Sequence, residues 1–387
     1  MIERSITLTF DHKVVFTRNA FSPENSELAR ILTANSLGDR PSRALVVLDR
    51  AVAEAKPELV GQIESYFESS DPLQLAGPVA IFKGGESCKN DPTRVTDLWK
   101  LIHEAGLDRH SYVLAIGGGA LLDLVGFAAS TAHRGIRHVR FPTTTLSQGD
   151  GGVGVKNGIN FFGKKNWIGT FTIPTAVIND LEFLDTQPEN ERRAGIIEAI
   201  KVALIRCPEF FQYIEDHTDA LAALDPKALE HIVRRSAELH VEHITTSGDP
   251  FELGSARPLD FGHWVAHKLE QLSRFRIGHG NAVAIGIAVD LLYSVEAGIL
   301  EAETCGRILS VILRIGFPIF EPELIEVGES GELAVLEGLE EFREHLGGEL
   351  TITLVPKIGS KIEVHEMDRT AILVAIEALR VGAEATA

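Results

Sequence analysis

The chain has 387 residues, and its 55 Asp and Glu against 37 Lys and Arg give a formal net charge of −18 at pH 7. This acidic excess argues against bulk affinity for nucleic acid or for an anionic membrane. With 44% apolar and 24% charged residues, the composition indicates a folded protein, and the length predicts two domains. The N-terminus lacks a signal-peptide pattern and no apolar run reaches bilayer-spanning length, so we predict a cytoplasmic protein.

The first half of the chain alternates short β-branched runs with helical patterns, which predicts a parallel sheet with helices on its faces. The candidate strands are residues 45–48, 79–82, 112–116 and 176–178. Between residues 140 and 175 the pattern gives way to a Gly-rich, polar stretch, which is long for a loop and is therefore expected to be functional.

After Pro188 long amphipathic segments predominate, which predicts a helical second half. The predicted helices are residues 191–205, 227–245, 263–272 and 281–297. An extended segment at residues 350–355 precedes a final helix that ends near Arg380. We therefore predict an α/β domain at residues 1–187 and a helical domain at residues 188–387. The three separated cysteines indicate isolated thiols.

A glycine cluster follows the third candidate strand. Gly117, Gly118 and Gly119 join this strand to a helical pattern, so backbone amides and a helix N-terminus would face a phosphate group bound there. Many turns need glycine for steric reasons alone, but Asp123, an acid in an otherwise apolar helix, favours a binding role. Asp49 ends the first strong strand, where a nucleotide-binding fold contacts ribose, although an N-cap explains it equally well.

Lysines and glycines concentrate at residues 149–169 of this acidic protein. The segment contains Asp150, Lys156, Lys165 and Asn166 among its glycines. Ammonium groups and exposed amides of this kind suit an anionic ligand. A solvated surface loop is the alternative, but it does not explain the number of glycines.

The helix predicted at residues 191–205 carries Glu198 and Lys201 on one face among apolar neighbours. A structural ion pair could account for them, but buried charges also recur at functional sites. His263 and His267 stand four apart, and His279 follows. Histidines at this spacing can bind one metal, and Glu198 could complete a zinc site with an open position. Spacing alone nominates His263 and His267 as the ligand pair.

In this order, the motifs resemble those of the sugar phosphate cyclase superfamily, which includes 3-dehydroquinate synthase. The likeness covers nearly the whole chain, from about Asp49 to Val355. It rests on the glycine cluster with Asp123, Gly126-Phe127-Ala128-Ala129, Arg134-Gly135, Pro142-Thr143-Thr144, Asp150, Lys156, residues 163–166, Glu198-Ala199-Ile200-Lys201, Phe261-Gly262-His263 and His279-Gly280.

The resemblance implies a Rossmann-like NAD-binding domain at residues 1–187 and an all-α metal-binding domain at residues 188–387, with the active site between them. It implies that Glu198, His263 and His279 bind zinc, or cobalt in its place, while His267 is a catalytic or phosphate-adjacent residue. The positions that match NAD contacts are Asp49, Glu86, Lys89, Gly118, Gly119, Asp123, Thr143, Thr144, Lys165 and Thr186.

The resemblance also implies a substrate pocket and a second subunit. Asp150, Lys156, Asn166 and Lys201 match the pocket, and we assign catalytic roles to Asp150, Lys156, Lys201 and His267. Arg134 matches an arginine that reaches the phosphate site of a neighbouring subunit, which implies a homodimer.

Departures from dehydroquinate synthases indicate the substrate. Those enzymes carry a lysine where His240 stands and an asparagine where Asp260 stands. Residues 247–252, 257–264 and 344–348 instead resemble C7-cyclitol synthases of the 2-epi-5-epi-valiolone synthase type, so Arg257, Asp260 and His345 join the predicted substrate-binding residues. Dehydroquinate synthase must bind a carboxylate of its substrate. Replacement of its cationic or neutral donors by His and Asp would instead suit a neutral hydroxymethyl group. Asn281 replaces a glutamate that is usual in the superfamily.

We therefore predict a zinc- and NAD-dependent cyclase that converts sedoheptulose 7-phosphate to a C7 cyclitol, such as 2-epi-5-epi-valiolone or an epimer, and releases phosphate. Transient oxidation by NAD would leave no net redox change. Dehydroquinate synthase activity is the nearest alternative, followed by a metal-dependent polyol dehydrogenase and a non-catalytic binding protein. The predicted partners are a small sugar phosphate and a second copy of the chain, with neither nucleic acid nor membrane.

Overall fold

The computed structural model describes residues 1–34, 40–162, 164–246, 251, 260–345 and 348–386. It divides the chain into two compact units, Met1–Pro188 and Glu189–Ala387. Within these described residues, no helix combines the length and the apolar character needed to cross a membrane.

The first unit is built on a parallel sheet of seven strands among its described residues. The order is β1-β9-β6-β5-β2-β3, and β4 also pairs with β2. The strands are β1 Val14–Thr17, β2 Ser42–Asp49, β3 Leu73–Leu75, β4 Ala80–Phe82, β5 Tyr112–Gly117, β6 Arg137–Pro142 and β9 Ala176–Asp180. All four predicted strands are therefore confirmed, whereas β1, β3 and β6 were missed.

Both faces of this sheet are covered, which explains why β5 is apolar at nearly every position. Leu114 and Ile116 contribute to one hydrophobic cluster, while Val113 and Ala115 contribute to another on the opposite face. The helices of this unit that pack around the sheet are α1 Glu27–Thr33, α2 Arg50–Ala55, α3 Leu59–Ser69, α4 Thr93–Glu104 and α5 Gly119–Thr131, and a short helix, α6 Thr145–Gly149, follows β6.

The Gly-rich stretch that the sequence assigned to a loop contains an antiparallel hairpin. Strands β7 Lys156–Phe161 and β8 Lys164–Phe171 pair with each other and lie outside the main sheet. Among the described residues of this stretch, the irregular segments are short, the longest being residues 150–155 between α6 and β7 and residues 172–175 between β8 and β9. Alternating glycines and polar residues hid the strand pattern, so the prediction of one long loop was wrong.

The second unit is helical, as predicted. Its helices are α7 Glu189–Arg206, α8 Pro208–Asp216, α9 Thr218–Ala222, α10 Pro226–Thr246, α11 His263–Leu272, α12 His279–Glu296, α13 Ala302–Ile315, α14 Glu337–His345 and α15 Arg369–Thr386. Helix α12 is buried over most of its length and packs against α7, α11, α13 and α15, which makes it the central helix. Strands β10 Ile352–Lys357 and β11 Ser360–Val364 add one hairpin.

The three cysteines are buried free thiols. Burial raises the pKa of Cys88 to about 12 and that of Cys305 to about 11, so these two thiols remain protonated at neutral pH. Their environment agrees with the isolated, structural thiols that the sequence indicates.

Candidate functional site

In the first unit, the glycine cluster forms the turn between β5 and α5. Strand β5 ends at Gly117, and Gly118 takes the N-cap position of α5 with an extended backbone (φ −71°, ψ 168°). No side chain among the described residues caps this helix N-terminus. The first amides of α5 are therefore free of a side-chain acceptor, as expected of a site that takes a phosphate group.

Asp49 ends β2 and is also the N-cap of α2. Its carboxylate accepts a hydrogen bond from Ala51 N at 3.0 Å, and the backbone amide of Gly84 donates to it as well. Burial raises the pKa of Asp49, although these two amides oppose the shift. The structure thus shows the capping role, and the ribose contact stays a prediction.

Lys89 is the centre of a polar cluster beside α5. It lies in a 3-10 helix, Glu86–Asn90, and is only 3% exposed. Its Nζ donates to Asp123 Oδ2 at 2.9 Å and contacts Asn166 Oδ1, with Glu86 Oε1 3.8 Å away. Burial lowers the pKa of Lys89, but the two acidic neighbours outweigh it and raise that pKa overall. The structure therefore brings together three predicted NAD-binding residues and one predicted substrate-binding residue.

Asn160 connects the hairpin to this cluster, and the sequence did not single it out. Its Oδ1 accepts a hydrogen bond from Asn166 N at 2.9 Å, while its Nδ2 donates to Glu86 Oε1 at 2.9 Å and to Asn90 Oδ1 at 2.8 Å. Asn166 is held with a positive φ of 52°. Asn160 is only 7% exposed, but its partners come from other elements, so no pattern along the chain identifies it.

The structure places the predicted threonines in two different settings. Thr143 N donates to Gly117 O at 3.0 Å, and Thr144 caps α6 through a capping box with Ser147, so both lie at the glycine turn. Thr186 ends the 3-10 helix Leu181–Thr186, and its hydroxyl donates to Phe183 O at 2.7 Å.

The remaining predicted residues of the first unit lie on the loop, the hairpin and a turn. Asp150 is the C-cap of α6, Lys156 is exposed at the start of β7, and Lys165 is half-buried on β8. Arg134 is exposed, with a φ of 61°, at the end of the 3-10 helix Ala132–Arg134.

In the second unit, three helices bring Glu198, His263 and His279 together. One ligand atom from each lies within 4.8 Å of the others. Glu198 Oε1 lies 3.8 Å from His263 Nε2 and 3.6 Å from His279 Nε2. Glu198 comes from α7, while His263 and His279 are the first residues of α11 and α12. A carboxylate and two imidazoles in this arrangement fit a zinc site that keeps a position open.

The outer nitrogens of both histidines are held by acceptors. His263 Nδ1 lies 3.1 Å from Phe261 O, and His279 Nδ1 lies 3.5 Å from Glu270 Oε1. In each ring, this contact leaves Nε2 facing Glu198, which is the orientation that metal-binding histidines adopt. Sequence reasoning missed Glu270, although it lies seven residues after His263 on the same face of α11.

Charges are concentrated around Glu198. Burial disfavours the ionised carboxyl, but the ammonium of Lys201, in direct ion-pair contact, and the imidazole of His279 outweigh it and lower the pKa of Glu198 to about 2. Burial, followed by Lys201, lowers the pKa of His263 well below its usual range. For His279, burial is outweighed by Glu198 and Glu270, which raise the pKa to about 9.

Spacing alone would have paired His263 with His267, but the geometry groups His263 with His279. The His267 ring centre lies 5.4 Å from that of His263 and 6.5 Å from that of His279, and the His263 and His279 ring centres are 5.7 Å apart. His267 is thus adjacent to His263, but the residues whose ligand atoms lie within 4.8 Å of one another are Glu198, His263 and His279. Asp260 is half-buried in the turn before α11. Arg257 and the side chain of His345 lie outside the described residues.

A tight contact between α11 and α12 fixes the position of His263. Gly262 has a φ of +77°, and a Cβ there would lie 2.6 Å from Ile287 N. Asp290, fully buried on α12, accepts hydrogen bonds from Gly262 N at 2.9 Å and from Trp264 Nε1 at 2.8 Å. Burial raises the pKa of Asp290 to about 7 against these two hydrogen bonds. Both neighbours of His263 in the chain are therefore tied to one side chain.

Comparison with known proteins gives matches along most of the chain. Residues 79–194 match the family model "3-dehydroquinate synthase N-terminal" and residues 195–330 match "3-dehydroquinate synthase C-terminal". A 2-epi-valiolone synthase of Actinosynnema mirum is 32% identical over 87% of this chain and 86% of its own length. A 3-dehydroquinate synthase of Halorhodospira halophila is 36% identical over 68% of this chain and 72% of its own length.

A solved structure is similar over the whole chain. It is ValA, a 2-epi-5-epi-valiolone synthase from Streptomyces hygroscopicus subsp. jinggangensis 5008, with NAD+ and Zn2+ bound. The TM-score is 0.85 at 28% identity, and the match covers 98% of this chain and 99% of that one.

Proposed function

Because the chain belongs to the 3-dehydroquinate synthase family of sugar phosphate cyclases, we propose that it is an NAD- and zinc-dependent cyclase of the valiolone synthase type. It converts sedoheptulose 7-phosphate to a C7 cyclitol, 2-epi-5-epi-valiolone or an epimer, and releases phosphate. The observation that carries the proposal is the likeness to ValA over 98% of the chain, together with the 2-epi-valiolone synthase relative.

The donor set of the second unit supports a catalytic metal. Among the described residues, neither oxygen of Glu198 has a hydrogen-bond partner of acceptable geometry, although Lys201 is in ion-pair contact. A zinc ion held by Glu198, His263 and His279 would satisfy this buried carboxylate and keep one position for substrate. When bound, the metal supplies a Lewis acid and NAD supplies a reversible hydride acceptor.

We propose that the domain predicted at residues 1–187, which lies within the first unit, binds NAD. The amides at the start of α5 would bind the pyrophosphate, and the charged cluster around Lys89 and Asp123 would help to hold the cofactor. Asp49, Thr143, Thr144, Lys165 and Thr186 complete the proposed set.

The proposed roles of the basic residues follow their chemistry. We assign the binding of the substrate phosphate to Lys156, Lys201 and Asn166. Lys201 is only 2% exposed and forms an ion pair with Glu198. His267 is half-buried beside the proposed metal ligands, and we assign it a role in proton transfer during the reaction. Asp150 is an acidic residue that we also propose to take part in catalysis. Arg134 is exposed and available to a second copy, in a homodimer. A cytoplasmic location stays a prediction.

Dehydroquinate synthase activity is the second candidate, because a relative with that activity is 36% identical. Its substrate carries a carboxylate where sedoheptulose 7-phosphate carries a hydroxymethyl group. This chain has Asp260 and His240 where a carboxylate-binding pocket needs donors, and an acid at residue 260 would repel a carboxylate.

Phosphate release from each of the two sugar phosphates separates the candidates. We expect phosphate to be released from sedoheptulose 7-phosphate with a catalytic amount of NAD and without net formation of NADH, which is followed by its absorbance. NMR of the product then identifies the epimer. Turnover of the C7 keto-acid phosphate alone would overturn the proposal in favour of dehydroquinate synthase. Stoichiometric NADH would indicate a polyol dehydrogenase. Glu198→Ala, expected to lose zinc and turnover but to bind NAD, is the matched control.

A further inference from the structure

A buried guanidinium lies beneath the Gly-rich loop of the first unit. Arg140 is 0% exposed and sits on β6, opposite Ala115 of β5 and Val177 of β9, near the middle of the sheet. Arginine is rarely buried completely, because removing its charge from water is costly unless every donor finds a partner. A buried arginine at this position therefore needs hydrogen-bond acceptors close to its guanidinium group.

Those acceptors belong to the loop that connects α6 to the hairpin and to the first two residues of β7. Nη1 and Nη2 of Arg140 donate to Gly152 O at 3.1 Å, Gly154 O at 2.9 Å, Lys156 O at 2.6 Å and Asn157 Oδ1 at 2.8 Å, with Gly151 O at 3.4 Å. No carboxylate among the described residues lies within ion-pairing distance of this guanidinium. Backbone carbonyls of residues 151–156 and the amide oxygen of Asn157 thus stabilise the charge, together with the charge of Asp123, whereas Nε of Arg140 has no hydrogen-bond partner among the described residues.

The loop needs such a partner, because its own sequence does not specify a conformation. Gly151, Gly152 and Gly154 have wide backbone freedom, and ordering them costs more conformational entropy than ordering other residues. The planar fork of arginine presents several donors in fixed directions, which a lysine ammonium cannot do. Arg140 therefore selects one loop conformation.

The same contact also fixes the loop relative to α5. Asn157 Oδ1, which accepts from Arg140, lies so close to Gly126 of α5 that any Cβ at residue 126 would overlap it. Asp123 lies one helical turn before Gly126. Arg140 thus links the segment that bears Asp150 and Lys156 to the helix that bears the proposed NAD contacts.

From this geometry we infer that Arg140 is a positioning residue of the reaction: it sets where Asp150 and Lys156 lie relative to α5 without touching substrate itself. The choice of substrate in the test rests on the proposed function, while the placement of the loop does not.

The test compares Arg140→Lys with Arg137→Lys. Arg137 is half-buried on the same strand, and its guanidinium donates to the Tyr112 hydroxyl at 3.2 Å, so its replacement is a matched loss of one arginine outside the loop. For Arg140→Lys we expect kcat to fall about 10- to 100-fold, as for other misplaced catalytic groups. We expect KM and the Kd of NAD to change less than threefold, and the pH dependence of kcat to shift. Arg137→Lys should resemble the parent protein in each measurement.

Hydrogen exchange of residues 150–157 provides a readout that needs no substrate. Exchange should accelerate in Arg140→Lys and not in Arg137→Lys. Should Arg140→Lys fail to fold, Asn157→Ser removes one acceptor and leaves the charge, and it should lower kcat about 3- to 10-fold with faster exchange of the same segment. Unchanged exchange in a folded variant, or unchanged kcat, overturns the inference. If the parent protein acts only on the C7 keto-acid phosphate, the proposed function fails and the same comparison is made with that substrate.

Discussion

Replacing Glu270 should weaken zinc binding although Glu270 is not a ligand. Its carboxylate is buried, 5% exposed as a residue, and lies 3.5 Å from His279 Nδ1, the nitrogen that faces away from Glu198. Without this acceptor the imidazole loses its orientation and part of its basicity. Outer partners of metal-binding histidines contribute about 10- to 100-fold in affinity, or about 1.4–2.8 kcal/mol at about 1.4 kcal/mol per tenfold.

Two substitutions of Glu270 should fall at the two ends of this range of zinc affinity. Glu270→Gln keeps a neutral acceptor, and because a charged acceptor makes a bond roughly twice as strong, we expect about a tenfold loss of zinc affinity. Glu270→Ala removes the acceptor and should approach a hundredfold loss. Zinc affinity is measured by competition with a chelator, with NAD binding as the check on folding. Glu296→Gln, an exposed acid on α12, is the control. A zinc affinity within twofold of the parent in Glu270→Ala would refute the reasoning.

Three other predictions concern the two units separately. Because the pKa of His279 is raised to about 9, zinc must displace a proton from this imidazole below pH 9. The apparent zinc affinity should therefore rise about tenfold per pH unit up to about pH 9 and then level off. A zinc affinity that does not change with pH would contradict this prediction. Lys89→Met leaves Asp123 without its cation and should raise the Kd of NAD, measured by calorimetry, about 10-fold or more at unchanged zinc affinity. Asp290→Ala leaves two buried donors unpaired, Trp264 Nε1 among them, and should lower the free energy of unfolding in urea by about 2–6 kcal/mol; a loss below 1 kcal/mol would show that water replaces the carboxylate.

The apolar pattern of the sequence predicted the strands that are apolar throughout and missed a strand that carries polar residues. Strand β5 is apolar at nearly every position and was identified. Strand β6 was missed because Arg137, His138 and Arg140 break its pattern, although His138 and Arg140 are buried. Periodicity counts side-chain types, whereas the burial of Arg140 depends on carbonyl groups up to 17 residues further along the chain.

The chemistry of the metal site could be predicted better than its grouping. Carboxylate and imidazole groups are recognisable as donors, but spacing along one helix cannot reveal that His279, on another helix, is the neighbour of His263. Only the family resemblance named that set of three. Glu270 and Asn160 escaped both approaches, because their parts are set by neighbours from other elements.

The three proposed metal-binding residues come from three different helices, α7, α11 and α12, which has a consequence for the kinetics of metal binding. Each helix would contribute one ligand, so no single helix, nor any pair of them, could form the complete site. Zinc would therefore bind late in the folding of the second unit, once all three helices are docked. Conversely, escape of the ion would require one helix terminus to open, and the exchange rate of the metal would report how often α11 or α12 separates locally from the central packing.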